Sequence, residues 1–404
     1  MQPPGAVVGD SYWDPYDEAL DDDPYPVWQR LRDEAPVYRN EAFDFWALSR
    51  YQDVENAHKD PATFSSAYGT VLEQMGPATA SMRMMIFLDP PDHAVLRALV
   101  SRAFTGRRIA AIEDHVRRIC AELLDAHVGA GGFDYVQDFA AQLPSRVISA
   151  LVGVPPQGQE SARQHVEGMF HIEPGVGMVN EVSAGAALEL AVYLAELVVA
   201  RRTHPGDDLV SALVQAEITD DLGIQRRLTA NECTEFAVLL YTAGTETVGK
   251  LLGNAAVLLA THPDQRADLV AAPELIPNAV EELLRFEPPS PVQGRWTTRD
   301  VEVQGTVIPR DSKTLLLTGS AGRDERVFAE PERFDVHRVM THHLSFGYGV
   351  HFCLGAALAR LESRVALEET LRRFPEWDVG DGGLERAHTS TVRGYRRVPI
   401  RTVG

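Results

Sequence analysis

Residues 345–364 read SFGYGVHFCLGAALARLESR, and the interpretation of this stretch decides the fold. Phe346, Gly347, Gly349, His351, Cys353 and Gly355 form a glycine-punctuated loop that delivers one cysteine to a helix. Leu354, Leu358, Leu361 and Val365 recur at three- and four-residue intervals, the period of a single helix face, which places Cys353 at the first turn. A thiol at that position meets the partial positive charge of a helix N-terminus and unpaired backbone N–H groups, both of which favour the thiolate. Glycines in the loop allow a flat ligand to approach the main chain. A lone cysteine beside a turn is ordinarily a buried structural residue; here the spacing sets it apart.

The pattern Phe-Gly-x-Gly-x-His-x-Cys-x-Gly resembles the haem-ligand loop of the cytochrome P-450 family, whose cysteine thiolate binds haem iron. The resemblance implies that Cys353 is the metal ligand and that Phe346, Gly347, His351 and Gly355 cradle the cofactor, haem b.

The longest helix opens with the capping box Thr229 to Glu232 and runs to about Thr261, ahead of Pro263. Phe236, Leu239, Leu240, Leu251, Leu252, Leu258 and Leu259 make it apolar around much of its circumference, which predicts burial through the middle of the fold. Within it sits Ala243-Gly244-Thr245-Glu246-Thr247. Glycine costs a helix roughly 1 kcal/mol against alanine, and an unpaired buried carboxylate costs more, so something must compensate. One reading is a glycine that admits a neighbouring helix, with a glutamate paired to an arginine. The other comes from the resemblance: Ala-Gly-x-Glu-Thr is similar to the family's oxygen-activating segment. There Gly244 makes room beside the haem, and Glu246 and Thr247 relay protons to oxygen.

Three further matches follow the family's order. His93 and Arg97 fall four residues apart after Pro90-Pro91, on one helix face, and the resemblance assigns them to the haem propionates. Arg295 matches a further propionate-binding arginine, with Arg299 as the local rival. Glu282-Leu283-Leu284-Arg285 matches a structural ion-pair network that is completed by Arg333 in preference to Arg338.

The rest of the chain reads as helices over about 26–34, 109–128, 142–152, 159–169 and 182–202, with a hairpin at 37–48 and a helix after it capped by Ser49 and Gln52. Residues 65–85 lack periodicity and read as an exposed loop. Pro174 and Gly175-Val176-Gly177 break two helices apart, as a flexing lid would. A small sheet is expected over 301–317 and a closing hairpin over 389–400. Candidate substrate contacts are Met82, Met84, Ile86, Met169, Phe170, Met178, Leu239, Leu240, Ala243, Val292, Thr391 and Val392, a largely apolar set.

Composition bounds the function. With 404 residues the chain can bury a large core, and a formal charge of −20 argues against a nucleic-acid partner. No run of eighteen uncharged apolar residues occurs, and the best candidate is interrupted by Glu189 and Glu196, so a cytoplasmic protein without a membrane anchor is expected. Cys120 and Cys233 read as core residues. Arg102, Arg107, Arg108, Arg117, Arg118, Arg360 and Arg364 would form a basic patch for an acidic electron donor if their segments adjoin.

The resemblance covers the chain. It implies a mainly α fold, a P-450 helical bundle around haem with a small β-rich region, formed as one domain over 1–404 with an irregular lead-in at 1–20. The activity implied is monooxygenation: O2 is activated with two electrons and an apolar small molecule (lipid, terpene, steroid, polyketide or aromatic) is hydroxylated or otherwise oxidised. No flavin or ferredoxin module is expected within the chain, so NAD(P)H electrons arrive through a separate ferredoxin and ferredoxin reductase. Two rivals are a peroxide-driven haem-thiolate peroxygenase, disfavoured by the Glu246-Thr247 pair, and a non-enzymatic haem sensor.

Overall fold

The computed structural model describes residues 11–101, 104–173, 177–219, 225–380 and 382–402. Its organising element is the central helix, Ala230–Thr261, which begins where the sequence places it. The Thr229 side chain accepts from the Glu232 N–H, the Glu232 carboxylate accepts from the Thr229 N–H, and Arg226 grips that carboxylate through two bonds of 2.8 Å. Sixteen of its residues are buried. Glycines let neighbours come close: a Cβ on Gly249 would lie 3.0 Å from the Ala140 carbonyl, and one on Gly253 3.0 Å from Val136. The segment admitted there, Tyr135–Ala140, is a π-helical turn.

The cysteine helix, Ala356–Arg373, packs beside the central helix together with Ile276–Phe286, and their apolar faces share one large core cluster with Cys120. Cys233 lies in a second cluster with the helices Gln142–Val152 and Glu181–Thr203. The expected helix at 109–128 is two, Gly106–Ala111 and Glu113–Asp125, separated at Ile112, whose ψ of 1° leaves the helical range. The β-rich region is a five-stranded sheet in the order Val37–Asn40, Phe45–Leu48, Lys313–Leu317, Val292–Thr297 and Phe64–Ser65. Only the pairing of Phe45–Leu48 with Lys313–Leu317 is parallel.

Several expectations are corrected. The helix Tyr51–Lys59 is not capped by Ser49 and Gln52: its Tyr51 N–H donates to the Asp324 carboxylate, 273 residues away. Residues 65–85 are a chain of tight turns rather than an exposed loop, with Leu72, Met75 and Met85 buried and Met82 exposed. The end of the chain is no simple hairpin, because Gly394–Arg397 pairs with Glu385–Ala387 while Pro399–Thr402 pairs with Trp377–Val379 and Gly132–Asp134. The lead-in already contains a short helix, Glu18–Asp22, capped by Asp17. Residues 1–10 of the lead-in, and Pro174, Gly175 and Val176 of the expected lid break, lie outside the described residues.

Glu362 sits on the cysteine helix with its carboxyl buried and one oxygen unpartnered, and burial alone pushes its pKa from 4.5 up to about 8. The folded protein therefore keeps a proton that the unfolded chain loses above pH 4.5, so stability falls as the pH rises from 4.5 towards 8. Replacing the carboxyl by an apolar group of similar length, Glu362→Met, should stabilise the fold by about 2 kcal/mol at pH 7.5. Thermal melts should converge with the parent protein near pH 5.

Candidate haem site

Cys353 lies in the turn before the cysteine helix rather than in its first turn. Gly355 is the N-cap, and the Cys353 N–H donates to the Phe346 carbonyl at 2.8 Å. The loop needs its glycines: Gly347 and Gly349 have φ of 68° and 67°, and a Cβ on Gly349 would come 2.7 Å from the His58 carbonyl. Phe346 is buried, with the Arg360 guanidinium 4.6 Å above its ring. Arg360 is in turn held by the Glu281 carboxylate at 2.6 and 2.9 Å, and His343 binds the same carboxylate at 3.2 Å.

The thiol of Cys353 is reachable from outside, yet protein rings it closely enough that desolvation raises its pKa. The Gly355 N–H, Arg97 and Arg360 pull it down by less. The backbone N–H favours the thiolate, as the sequence predicts, but it is the smaller effect. Desolvation outweighs the local dipoles, and a coordinated metal ion is what deprotonates such a thiol outright.

Around Cys353 the chain gathers cations and neutral imidazoles. His93, on the helix Asp92–Ser101, packs its ring 4.3 Å from His351, and burial with the nearby His351 and Arg97 charges lowers its pKa to about 4. Arg97 donates to the Phe352 carbonyl at 2.7 Å. Arg295, buried on the sheet opposite Thr314, bonds only its neighbour's Gly294 carbonyl at 2.7 Å and His58 Nδ1 at 3.4 Å, and burial lowers its pKa to about 10. Among the described residues neither guanidinium has a carboxylate within ion-pair distance. A buried cation left this way is costly, and an anionic ligand such as a propionate relieves it. Arg299, the rival, is exposed and paired with Asp60. An exposed cysteine near two guanidiniums that lack carboxylate partners fits haem; one carboxylate of this region, Asp89, lies 3.8 Å from His351 Nε2 and accepts from the Ser65 hydroxyl and the Ser66 N–H. His58 was missed from the sequence, because its contact with Arg295 spans 237 residues and no local pattern marks it.

On the central helix, Thr247 bonds the carbonyl of Ala243, which is exposed. Glu246 turns elsewhere, to Lys250 at 3.0 Å. The compensating cation is thus a lysine one turn on, not a distant arginine. At Gly244 a Cβ would sit 2.8 Å from the Ile148 side chain, so its lack of a side chain makes room for the helix Gln142–Val152. Of the candidate substrate contacts, Leu240, Val292 and Val392 are buried core, whereas Met82 and Ile86 are exposed.

The network below the site closes on Arg338, not Arg333. Glu282 pairs with Arg285 at 2.7 Å through both oxygens and takes further bonds from Arg338 at 3.2 Å and the Asp335 N–H at 2.9 Å. Arg333 contributes only its carbonyl, its side chain reaching out to Glu330 and Asp335. Arg338→Ala should therefore destabilise the fold by about 2 kcal/mol, and Arg333→Ala by less than about 0.5 kcal/mol, in denaturant titrations.

The predicted basic patch is largely neutralised. The helices Glu113–Asp125 and Ala356–Arg373 do adjoin, but Arg117 and Arg364 are paired with Glu113, Glu368 and Glu369, and Arg360 with Glu281. Arg107 and Arg108 stay exposed, and Arg102 lies outside the described residues. The helix Glu181–Thr203 is long and apolar enough to cross a membrane by composition, yet it carries Glu189 and Glu196 and buries Leu190, Leu194 and Val198 in the core.

Comparison with known proteins agrees with this geometry. A sequence profile described as cytochrome P-450 matches residues 265–384. A Mycobacterium tuberculosis protein named as a cytochrome P-450 is 42% identical over 96% of both chains. The 6-deoxyerythronolide B hydroxylase of Saccharopolyspora erythraea is 37% identical over 94% of this chain and 96% of that one. Among solved structures, a mutant of P-450 EryK in complex with erythromycin B superposes with a TM-score of 0.86 at 35% identity, covering 96% of this chain and 97% of that one.

Proposed function

The chain belongs to the cytochrome P-450 family of haem-thiolate monooxygenases, with haem b as cofactor, and on that footing we propose that it oxidises a bulky, largely apolar secondary metabolite of macrolide or cyclic-peptide type. The overall reaction is RH + O2 + 2e⁻ + 2H⁺ → ROH + H2O. The observation that carries the reading is an exposed Cys353 beside Arg97, with Arg295 near His351 of the same loop, two guanidiniums without carboxylate partners among the described residues.

When bound, haem supplies reductive O2 activation and the oxidising equivalent that attacks the substrate. The protein's residues do the rest. Cys353 would ligate the iron. Arg97 and Arg295 neutralise the propionates, and His93 and His351, neutral at pH 7, donate N–H groups to them. Phe346 and Arg360 brace the loop. Glu246 gathers protons, and the Thr247 hydroxyl passes them to the oxygen-binding groove.

Relatives support the substrate class: besides the 6-deoxyerythronolide B hydroxylase, a cyclomarin C epoxidase of Salinispora arenicola is 37% identical over 92% of the chain. The protein works in the cytoplasm as one domain. Its electrons come from NAD(P)H through a ferredoxin reductase and an acidic ferredoxin, which docks over Arg107 and Arg108 on the helix that packs against the cysteine helix. A ligand screen for the low-spin to high-spin absorbance shift tests the substrate class. Macrolide aglycones and cyclic peptides should give the tightest shifts; a response confined to fatty acids would contradict the proposal.

A further inference from the structure

The end of the helix Tyr51–Lys59 packs against the cysteine loop at several points. Glu55 meets His342 at 3.2 Å, and the Lys59 ammonium lies 4.8 Å above the Tyr348 ring. The His58 carbonyl approaches Gly349 so closely that no side chain fits there. The His58 ring itself turns inward. It is 3% exposed, a Cβ on Gly347 would lie 3.7 Å from its Cε1, and its Nδ1 is 3.4 Å from the Arg295 guanidinium.

These contacts fix where the ring carries its hydrogen. A guanidinium only donates, so Nδ1 accepts from Arg295, and a neutral imidazole with its lone pair there bears its proton on Nε2. Burial, with the Arg295 and His351 charges, holds the His58 pKa well below 6.5 and so keeps the ring neutral. Nε2–H is thus a buried donor, and among the described residues it has no hydrogen-bond partner. An orphaned buried donor is costly, and packing does not call for one, since an aromatic ring of similar width would fill the slot.

His58 is not alone in this. Ser66 Oγ and His351 Nε2 are also buried without a hydrogen-bond partner, and both residues adjoin Asp89, whose charge reaches Arg295. Asp89 itself is engaged by the Ser65 hydroxyl and the Ser66 N–H. Three orphaned polar atoms and an unpaired guanidinium gathered in one place call for an acid group from outside the chain.

We propose that His58 is a haem-binding residue of this protein, donating Nε2–H to the carboxylate edge of the cofactor while its Nδ1 steadies Arg295 for the same edge. None of the motifs that mark the site contains it. The helix Tyr51–Lys59 thereby becomes a further wall of the site, joined both to the cysteine loop and to the cofactor's acid groups.

The inference rests on the haem reading of the site, and the experiment tells the two apart. The chain is loaded with protohaem or with its dimethyl ester, which lacks the anionic carboxylates, and cofactor loss to excess apomyoglobin is timed. With protohaem, His58→Phe should lose cofactor roughly tenfold faster than the parent, the worth of one hydrogen bond to a charged group, and the propionate bending band in its resonance Raman spectrum should shift. His58→Asn, which keeps a polar group at the Nδ1 position alone, should behave in the same way, whereas His58→Gln, whose amide reaches the Nε2 position, should recover most of both properties. With the dimethyl ester, parent and variants should lose cofactor at equal rates. A defect of His58→Phe or His58→Asn that persists undiminished with the ester, or an unmoved propionate band, overturns the role of His58, as does a His58→Gln variant no better than His58→Asn. A parent chain that takes up neither cofactor overturns the haem reading itself.

Discussion

Cys353→Ser should yield a folded protein that has lost thiolate ligation and all measurable monooxygenase turnover. The reason lies in what the loop provides. The backbone around residue 353 is fixed by the Phe346 carbonyl, by two glycines with positive φ and by the Arg360–Phe346–Glu281 brace, none of which involves the sulfur. The serine hydroxyl therefore occupies the same place, but as a weak neutral donor that cannot push electron density towards O–O cleavage. With only the proposed contacts from Arg97, Arg295 and the two histidines left, haem should be held more loosely. Cofactor present at about a thousandfold above its dissociation constant stabilises a fold by about 4 kcal/mol, so the thermal midpoint should drop as occupancy falls. Pyridine haemochrome content and melting curves, read on the same preparations, check both effects.

Thr247→Ala should keep haem, the cysteine ligand and the substrate-induced spin shift, yet lose product by roughly tenfold or more while NAD(P)H consumption continues, the difference appearing as hydrogen peroxide. The Thr247 hydroxyl is bound only to the Ala243 carbonyl, so its removal leaves no large cavity and no unpaired buried charge. Fold and cofactor binding should be indifferent to the change, whereas proton delivery is not. When proton delivery through the relay falters, the two electrons and two protons convert O2 to hydrogen peroxide instead of to product and water. Quantifying product, peroxide and NAD(P)H in one assay separates this outcome from simple inactivation, and unchanged coupling would remove Thr247 from the relay.

What the sequence disclosed was whatever is local. The capping box of the central helix, the hairpin at 37–48, the helix at 142–152 and the cysteine loop are each written in a few neighbouring residues, and each stands in the structure where its pattern lies. The misreadings come from distance. The cap of the helix at Tyr51 is a carboxylate from Asp324, and His58 meets Arg295 across the whole sheet region. Arg338 displaces Arg333 because the turn over 330–338 exposes one side chain and folds the other inward, a matter of turn geometry rather than spacing. The last strands mislead for the same reason: their partners lie elsewhere in the chain, so neighbouring strands imitate a hairpin. Lys250 is different. An acid and a base at i and i+4 on a helix are visible in sequence, and the pair was overlooked because compensation for Glu246 was sought in an arginine.

The site is thus an assembly of a short-range motif, the cysteine loop, with donors brought from a helix and a sheet strand far away in the chain. Only one donor atom in it can give the iron an anionic sulfur. The absorption spectrum of the dithionite-reduced, carbon monoxide-bound protein reads that atom directly. The strongly red-shifted Soret band of a thiolate-ligated haem is predicted for the parent protein and should vanish in Cys353→Ser. A parent spectrum like that of a histidine-ligated globin, or a purified chain that stays colourless after haem is added, would contradict it.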